Sequence, residues 1–570
     1  MFEKAYSCLR LSRSSFLEVH SQCRPAFDNC ITPASMDVGS PIQREPEEGF
    51  TDMYRTHSQT TDTTANDIDL RQYPLSWKTI RIYLSASIGG LLFGYDGGAI
   101  AGVLVALKPG DLGLETLEDY QKGVITATAA FGSFCGSISA FPLADRLGRK
   151  KTLGFSSLLF IIAAIVMASA VHFPVLLSGR LTLGFAVGIA AQCVPVYLSE
   201  VSPSSARGTI LTLNTLAITG GQLFASTLSW FIIDKPYAWR ILFALSAVPA
   251  GILLILLDTI PESPRWLFLT NQPHQARESL TIIYPMASEL EILNKMVKMV
   301  RDLSKLRAIQ RETQPLINRD RPLFKRFSTS LDYENYLREI AYSSRVSDVP
   351  HPHLKHKMDP RTRRALIVGC ILMFFQQATG FNAFVYYSPV VFSRINVNDP
   401  LLPAIAIAGI NFIFTGIAMR VVDKSGRRTI LLNTIWIMTV ALATSCTGFQ
   451  YSSSALFLTS LLVYVAAYAT GMGAVPWMSV EFLPLNQRSF GASCITCTNW
   501  LTNATISVLF LPLINKFGDK PTMLSFALMT ALNWLFVYSW YPEVKGLSLE
   551  EIGQVFENGI DVDYVYRKYH

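Results

Sequence analysis

The sequence predicts an all-α membrane protein of twelve spans, set out as two pseudo-symmetric halves of six helices each. Three observations predict it. Half of the 570 residues are hydrophobic and only 16% are charged, too apolar for an ordinary soluble domain. Runs of about 20 apolar residues, the length that crosses a bilayer core, recur along the chain. The third observation is an internal repeat. Asp145-Arg-Leu-Gly-Arg-Lys150 returns as Asp423-Lys-Ser-Gly-Arg-Arg428, an offset of 278 (423 − 145). Glu200 to Arg207 returns as Glu481 to Arg488 and Pro261-Glu262 as Pro542-Glu543, both at an offset of 281 (481 − 200 and 542 − 261). Two such halves, related by an axis along the membrane normal, place a binding site at their interface near the midplane.

The elements follow in order. Residues 1–78 are polar, with clusters such as TDTTANDIDL, and read as a disordered cytosolic tail. They are not a signal peptide, because the charged start is not followed by a compact apolar core. Residues 79–260 form the first half, with spans near 80–103, 120–143, 151–172, 174–197, 208–233 and 239–259. Residues 261–363 form a cytosolic linker, in which Leu290, Ile292, Leu293, Met296 and Met299 fall at helical spacing and predict short amphipathic helices beneath the bundle. Residues 364–541 form the second half, with spans near 364–389, 401–423, 429–448, 455–480, 488–512 and 520–541. Residues 542–570 are a cytosolic tail. Basic residues are retained in the cytosol, and Arg146, Arg149, Lys150, Lys151, Arg207, Lys424, Arg427 and Arg428 all fall in alternate connections. Both termini are therefore expected in the cytosol.

The same topology explains the net charge of +7, so no nucleic-acid binding is read from it. The nine cysteines are scattered and predict no disulfide framework. Cys494 and Cys497 form a CxxC within the eleventh span, where small packing residues are the better reading. The histidines of His351-Pro-His-Leu-Lys-His356 lie in a basic linker and read as solvated, so no metal site is expected. Asn503-Ala-Thr505 matches a glycosylation sequon that a span makes unreachable. No nucleophile–base arrangement or phosphate loop points to an enzyme, and no cofactor is expected.

A carboxylate in a span costs roughly 2.5–3.5 kcal/mol on insertion scales, so Asp96 is expected to be paired and to line a water path. Arg180 is the expected partner. With the first span entering from the cytosol and the fourth from outside, a rise of about 1.5 Å per residue puts both charges about 10 Å below the outer surface. Gln377, Asn411, Asn499 and Gln222 lie roughly 15–20 Å from the ends of their spans, near one midplane layer. Buried amides can donate to and accept from a polyhydroxylated solute without the cost of a charge. They can also hold helices together, at about 0.6–2 kcal/mol each.

Over residues 80–555 the chain resembles a sugar porter of the major facilitator superfamily. The resemblance is carried by GGLLFGYDGG (89–98), DRLGRK (145–150), SGRLTLGFAVG (178–188), VPVYLSEVSPSSARG (194–208), PESPRW (261–266), QQATGFN (376–382) with YYSP (386–389), DKSGRR (423–428), VPW (475–477) and PEVKG (542–546). Within the family it is most similar to fungal and animal myo-inositol transporters, through TLNTLAITGGQLFAS in span five, Thr498-Asn499-Trp500, and Trp477 four positions before Glu481. It departs from the usual Thr-Gly at Gly97-Gly98.

The resemblance implies proton-coupled symport of myo-inositol by alternating access, with a hexose or pentose transporter as the alternative and a non-transporting nutrient sensor as a more distant one. It implies a hydrogen-bonding set of Gln222, Gln376, Gln377, Asn382, Asn411 and Asn499, with Phe93, Trp477 and Trp500 as apolar walls. Asp96 and Arg180 couple the proton, and Tyr386 and Tyr387 form an extracellular gate. Glu200 and Glu481, with Arg146, Arg149, Arg207, Arg427, Arg428 and Arg488, are expected to bridge the two halves at the cytosolic face. The expected partners are a small polyol or sugar, protons and the bilayer, for a monomer in the plasma membrane.

Overall fold

The structure is a computed structural model. It describes residues 76–299 and 359–565, apart from 116, 204–206, 271, 290, 297–298, 395–396, 398, 452, 485–486, 546, 548–551, 553–554 and 558, and apart from the side chains of Arg207, Asp423, Lys424, Arg488 and Ser489. Residues 1–75 of the tail expected at 1–78, most of the linker and the histidine cluster lie outside the described residues.

A chain in hydrocarbon must satisfy its backbone internally, and these apolar runs do so as helices. The first half contains α1 (Trp77–Ala106), α2 (Asp119–Leu147), α3 (Arg149–Ala168), α4 (Phe173–Val201), α5 (Arg207–Ile232), and α6 (Ala238–Leu245) with α7 (Ala247–Leu256). Two linker helices follow, α8 (Pro264–Leu269) and α9 (Pro273–Ile283). The second half contains α10 (Pro360–Ala378) with α11 (Phe381–Arg394), α12 (Leu401–Ser425), α13 (Arg427–Gln450), α14 (Ser454–Thr470) with the short α15 (Val475–Met478), α16 (Arg488–Phe517) and α17 (Asp519–Trp540).

Among the described residues, eleven helical stretches are long and apolar enough to cross a membrane. The expected fifth span, α5, is a 26-residue helix that is not among them. Its sequence explains why: Asn214, Thr215, Thr219, Gly220, Gly221 and Gln222 replace lipid-soluble side chains, and Asn214, Thr219 and Gln222 are buried in protein.

The sequence repeat is also a packing repeat. Helix α1 lies along α5 as α10 lies along α16, α2 along α4 as α12 along α14, and α3 against α6 and α7 as α13 against α17. The halves meet where α2 runs beside α16 and α5 beside α12, with α11 against α1. Small residues set the closest approach. A Cβ on Gly98 of α1 would lie 2.3 Å from the carbonyl oxygen of Gln222 on α5, so only glycine fits there.

Two expected spans are broken helices. The seventh breaks between α10 and α11 and runs to Arg394, beyond the boundary read from the sequence, and the tenth breaks after Thr470. Each break frees carbonyls that the other span satisfies. Tyr464 Oη donates to Thr379 O at 2.9 Å, and Gln376 Nε2 donates to Met472 O at 2.7 Å. Irregular backbone at membrane depth is stable only with such partners.

The linker helices tie to the first half through Thr79 Oγ1 to Ile283 O at 2.9 Å and Trp266 Nε1 to Asp145 O at 2.9 Å. Ile292 and Met296 are buried, in keeping with the predicted apolar stripe. The C-terminal segment, expected as a tail, docks on the second half. Ile552, Val555 and Phe556 are buried, and Arg364 Nη1 donates to the carbonyls of Phe556 and Glu557 at 2.8 and 2.7 Å. Its apolar residues lie against Phe482, whose ring is 5.3 Å from that of Phe556.

Candidate functional site

Asp96 on α1 and Arg180 on α4 are brought together. Arg180 Nη1 donates to Asp96 Oδ1, Nε donates to Ile125 O at 3.2 Å, and its guanidinium carbon lies 5.9 Å from the Phe243 ring centroid. The arginine side chain is 2% exposed and the aspartate 16%, so the carboxylate is the end of the pair that solvent can reach. A cation this buried depends on the carboxylate it touches for its charge balance.

Six of the amides form linked pairs. Asn411 Nδ2 on α12 donates to Gln222 Oε1 on α5 at 2.9 Å, a bond between the halves. Asn499 Nδ2 on α16 donates to Gln376 Oε1 on α10 at 2.7 Å, and Asn382 Nδ2 on α11 donates to Gln377 Oε1 at 2.7 Å. Both ends of the Gln376 amide are thus engaged, one by Asn499 and the other by the broken tenth span. Gln376 thereby ties α16 to the broken tenth span.

Trp500 is buried, and its ring meets Phe93 of the opposite half edge-on at 5.4 Å. Its indole N–H is buried with no acceptor among the described residues, as is the side-chain nitrogen of Gln192 on α4. The sequence reading passed over Gln192, although an amide in the fourth apolar run is the same signal that marked the others. Trp477 keeps 40% of its surface open on the short helix α15.

Of the two expected gate tyrosines, Tyr387 is fully buried, stacks on Phe510 at 5.4 Å and donates to Ser507 O at 2.8 Å. Tyr386 has its ring edge over Gly97, where a Cβ would lie 3.8 Å away. Asn503 is 3% exposed inside α16, which seals off the sequon.

The basic turns at the other end differ from expectation. Arg149 grips Glu200 with two bonds, Nε to Oε2 at 3.0 Å and Nη2 to Oε1 at 3.1 Å. Arg427 Nη2 lies 3.9 Å from Glu481 Oε2. Each pair lies within one half, not between halves, because Glu200 ends a helix packed on α2 and α3 of its own half and so meets their connecting turn. Arg146 is exposed, Arg428 Nη2 donates to Tyr538 O at 2.8 Å, and the side chains of Arg207 and Arg488 lie outside the described ones.

Glu262 and Glu543, noticed only as a repeated Pro-Glu, complete these turns. Glu262 Oε1 accepts from the backbone N–H groups of Arg149 and Ser263 at 2.9 and 2.8 Å, and Oε2 from Lys150 at 3.1 Å. Glu543 accepts from Arg427, Arg428, Val544 and Lys545 at 3.0–3.1 Å. Carboxylates at helix N-termini complement the first free N–H groups and the helix dipole. Burial nonetheless raises the Glu262 carboxyl above its ordinary value, against the pull of those N–H groups.

Comparison with known proteins bears on these arrangements. Residues 82–331 and 319–556 match the family model described as "Sugar (and other) transporter". The chain is 51% identical over 92% of its length to a Saccharomyces cerevisiae protein named a probable metabolite transport protein, of which it covers 99%. It is 32% identical over 84% of its length to myo-inositol transporter 1 of Cryptococcus neoformans, covering 81% of that protein. Among solved structures it is similar to a partially occluded inward-open conformation of the xylose transporter XylE from E. coli, with a TM-score of 0.65 and 25% identity over 83% of this chain and 100% of that one.

Proposed function

Because the chain belongs to the sugar transporter family, we propose that it is a proton-coupled symporter of myo-inositol working by alternating access. It is a multi-pass membrane transporter with the major facilitator fold, and not an enzyme. The observation that carries the coupling is the bond from buried Arg180 to Asp96. Protonating Asp96 removes the charge that balances Arg180, and the pair parts. An inward proton gradient then drives accumulation of the solute.

The polyol would sit between the halves, where Gln222 with Asn411 and Gln376 with Asn499 offer both donors and acceptors. Phe93 and Trp500 supply apolar faces from opposite halves, and the unpartnered Trp500 N–H supplies a donor for one hydroxyl. Gln377, Asn382 and Trp477 complete the set, and Tyr386 and Tyr387 close it from outside. Relatives named as myo-inositol transporters support the choice of solute. The plasma membrane, a monomer and cytosolic termini complete the reading.

Uptake of labelled myo-inositol into cells lacking their own carriers tests it. Accumulation is expected to collapse with a protonophore, and unlabelled inositol is expected to compete better than glucose or xylose. A pentose or hexose carrier is the second reading, favoured by the likeness to a proton:xylose symporter. Failure of inositol to compete would decide for it.

A further inference from the structure

Polar contacts cross between the halves at one end of the bundle. At the end opposite the basic turns, Asp119 begins α2 in the first half. Its Oδ2 accepts from Arg394 Nη2 at 3.2 Å and from Asn515 Nδ2 at 2.8 Å, and Arg394 Nη2 also donates to Asn515 Oδ1 at 2.7 Å. Arg394 ends α11 and Asn515 lies near the end of α16, both in the second half. Asp119 is held in place from its own helix by Lys122 Nζ at 2.9 Å, and Arg394 lies 3.9 Å from Asp519.

One turn further in, a Cβ on Gly123 would lie 3.1 Å from Val508 O, so α2 and α16 are in backbone contact beneath the cluster. The other seam has its own crossing bond. Trp230 Nε1 on α5 donates to Asp399 Oδ2 at 2.6 Å, while Asp399 Oδ1 caps the start of α12 by accepting from Leu401 N–H at 3.2 Å.

We infer that these two clusters are a pair of latches, one on each seam, that hold the outer mouth shut and must break whenever the carrier opens outward. The inference rests on the alternating-access reading, and not on the identity of the solute or the coupling ion. Each seam has to part for the halves to rock, and neither Asp119–Arg394 nor Trp230–Asp399 can stretch across an open mouth. The fixed partners on one side, Lys122 for Asp119 and the Leu401 N–H for Asp399, keep each carboxylate aimed at its counterpart so that the bonds can re-form. The latches act on the equilibrium between inward and outward states, because their contacts exist in only one of them.

Spin labels at positions 171 and 451, exposed loop residues of opposite halves, report the outer mouth by double electron–electron resonance in the full-length chain with its native cysteines replaced by serine. Asp119→Leu with Trp230→Phe is expected to raise the long-distance population roughly threefold or more. Arg394→Asp alone should do likewise, whereas Arg394→Lys, which keeps a cation between Asp119 and Asp519, should hold the short distance. Asn515→Leu and Trp230→Phe, tested singly, read each seam with milder changes if Asp119→Leu misfolds. A parent protein that samples two distances, with all variants unchanged or with Arg394→Lys as open as Arg394→Asp, overturns the latches alone. One fixed distance in parent and variants, with and without solute, overturns the latches and the alternating-access reading together.

Discussion

Glu262 and Glu543 hold equivalent places in the two halves, each receiving the first N–H groups of the helix that follows a basic turn. The turns can form because Gly148 and Gly426 have φ of 91° and 93°, and a Cβ on either would come within 2.3 and 2.6 Å of its carboxylate. Arg149 and Arg427 are thereby aimed at Glu200 and Glu481. The repeated Pro-Glu is thus the base on which the charge pair of each basic turn is built.

Stability should carry the mark of Glu262. Burial raises its carboxyl above the ordinary 4.5, so the folded protein binds that proton more tightly than the unfolded chain does. Its contribution is fully present below 4.5 and is lost as pH rises through the raised folded value. Glu262→Gln removes the ionisation, so its melting temperature relative to the parent should rise across that window. Parallel thermal melts in detergent check this, and a margin that shrinks with rising pH contradicts it.

Asp96→Asn should leave a carrier that equilibrates solute but no longer concentrates it. The amide is uncharged, like the protonated acid, so the pair stays parted and no proton is taken up or released. Counterflow of labelled solute should persist in vesicles while the accumulation ratio under an imposed pH gradient falls to unity. Retained concentrative uptake would dismiss Asp96 as the coupling group.

Asn499→Ala and Gln376→Ala should not add. Each single change loses a hydrogen bond and frees its buried partner, at about 1–3 kcal/mol, or roughly 5- to 150-fold in solute affinity. Since the two side chains share one bond, the double variant should lose about 0.5–3 kcal/mol less than the sum. Equilibrium binding by calorimetry gives the cycle directly, and strict additivity would show that the two amides act apart.

Two adjacent glycines should respond in opposite ways. Gly98→Ala drives a methyl to 2.3 Å from Gln222 O, forcing α1 and α5 apart at about 1–3 kcal/mol and displacing Gln222. Gly97→Ala meets only the Tyr386 ring edge, at an ordinary 3.8 Å. Thermal stability and solute binding should both fall for the first and hold for the second.

Much of this was legible in the sequence because duplication writes itself twice. The basic turns gave the halves, hydropathy gave the spans, and the cost of charge in a membrane singled out Asp96 and Arg180. Pairings that depend on rotation about a helix axis were not legible. Nothing in the sequence says that Gln376 spends one end of its amide on Met472 O, because the break in the tenth span is not visible as a gap in hydropathy. Asp119 and Arg394 lie 275 residues apart at helix ends, where charged residues are ordinary. The cytosolic pairs were expected between halves because charge pattern gives sign and side of the membrane, whereas the choice of partner is made by local packing.

The polar character of α5 reaches back to biosynthesis. Its Thr, Asn, Gln and Gly residues are placed where protein, not lipid, meets them: Asn214, Thr219 and Gln222 are buried, and Gly221 lies against the Leu91 carbonyl of α1. Helix α1 comes earlier in the chain, so the surface that receives this polar face is synthesised before it. A span of this composition is therefore matched to its neighbour and not to the bilayer alone.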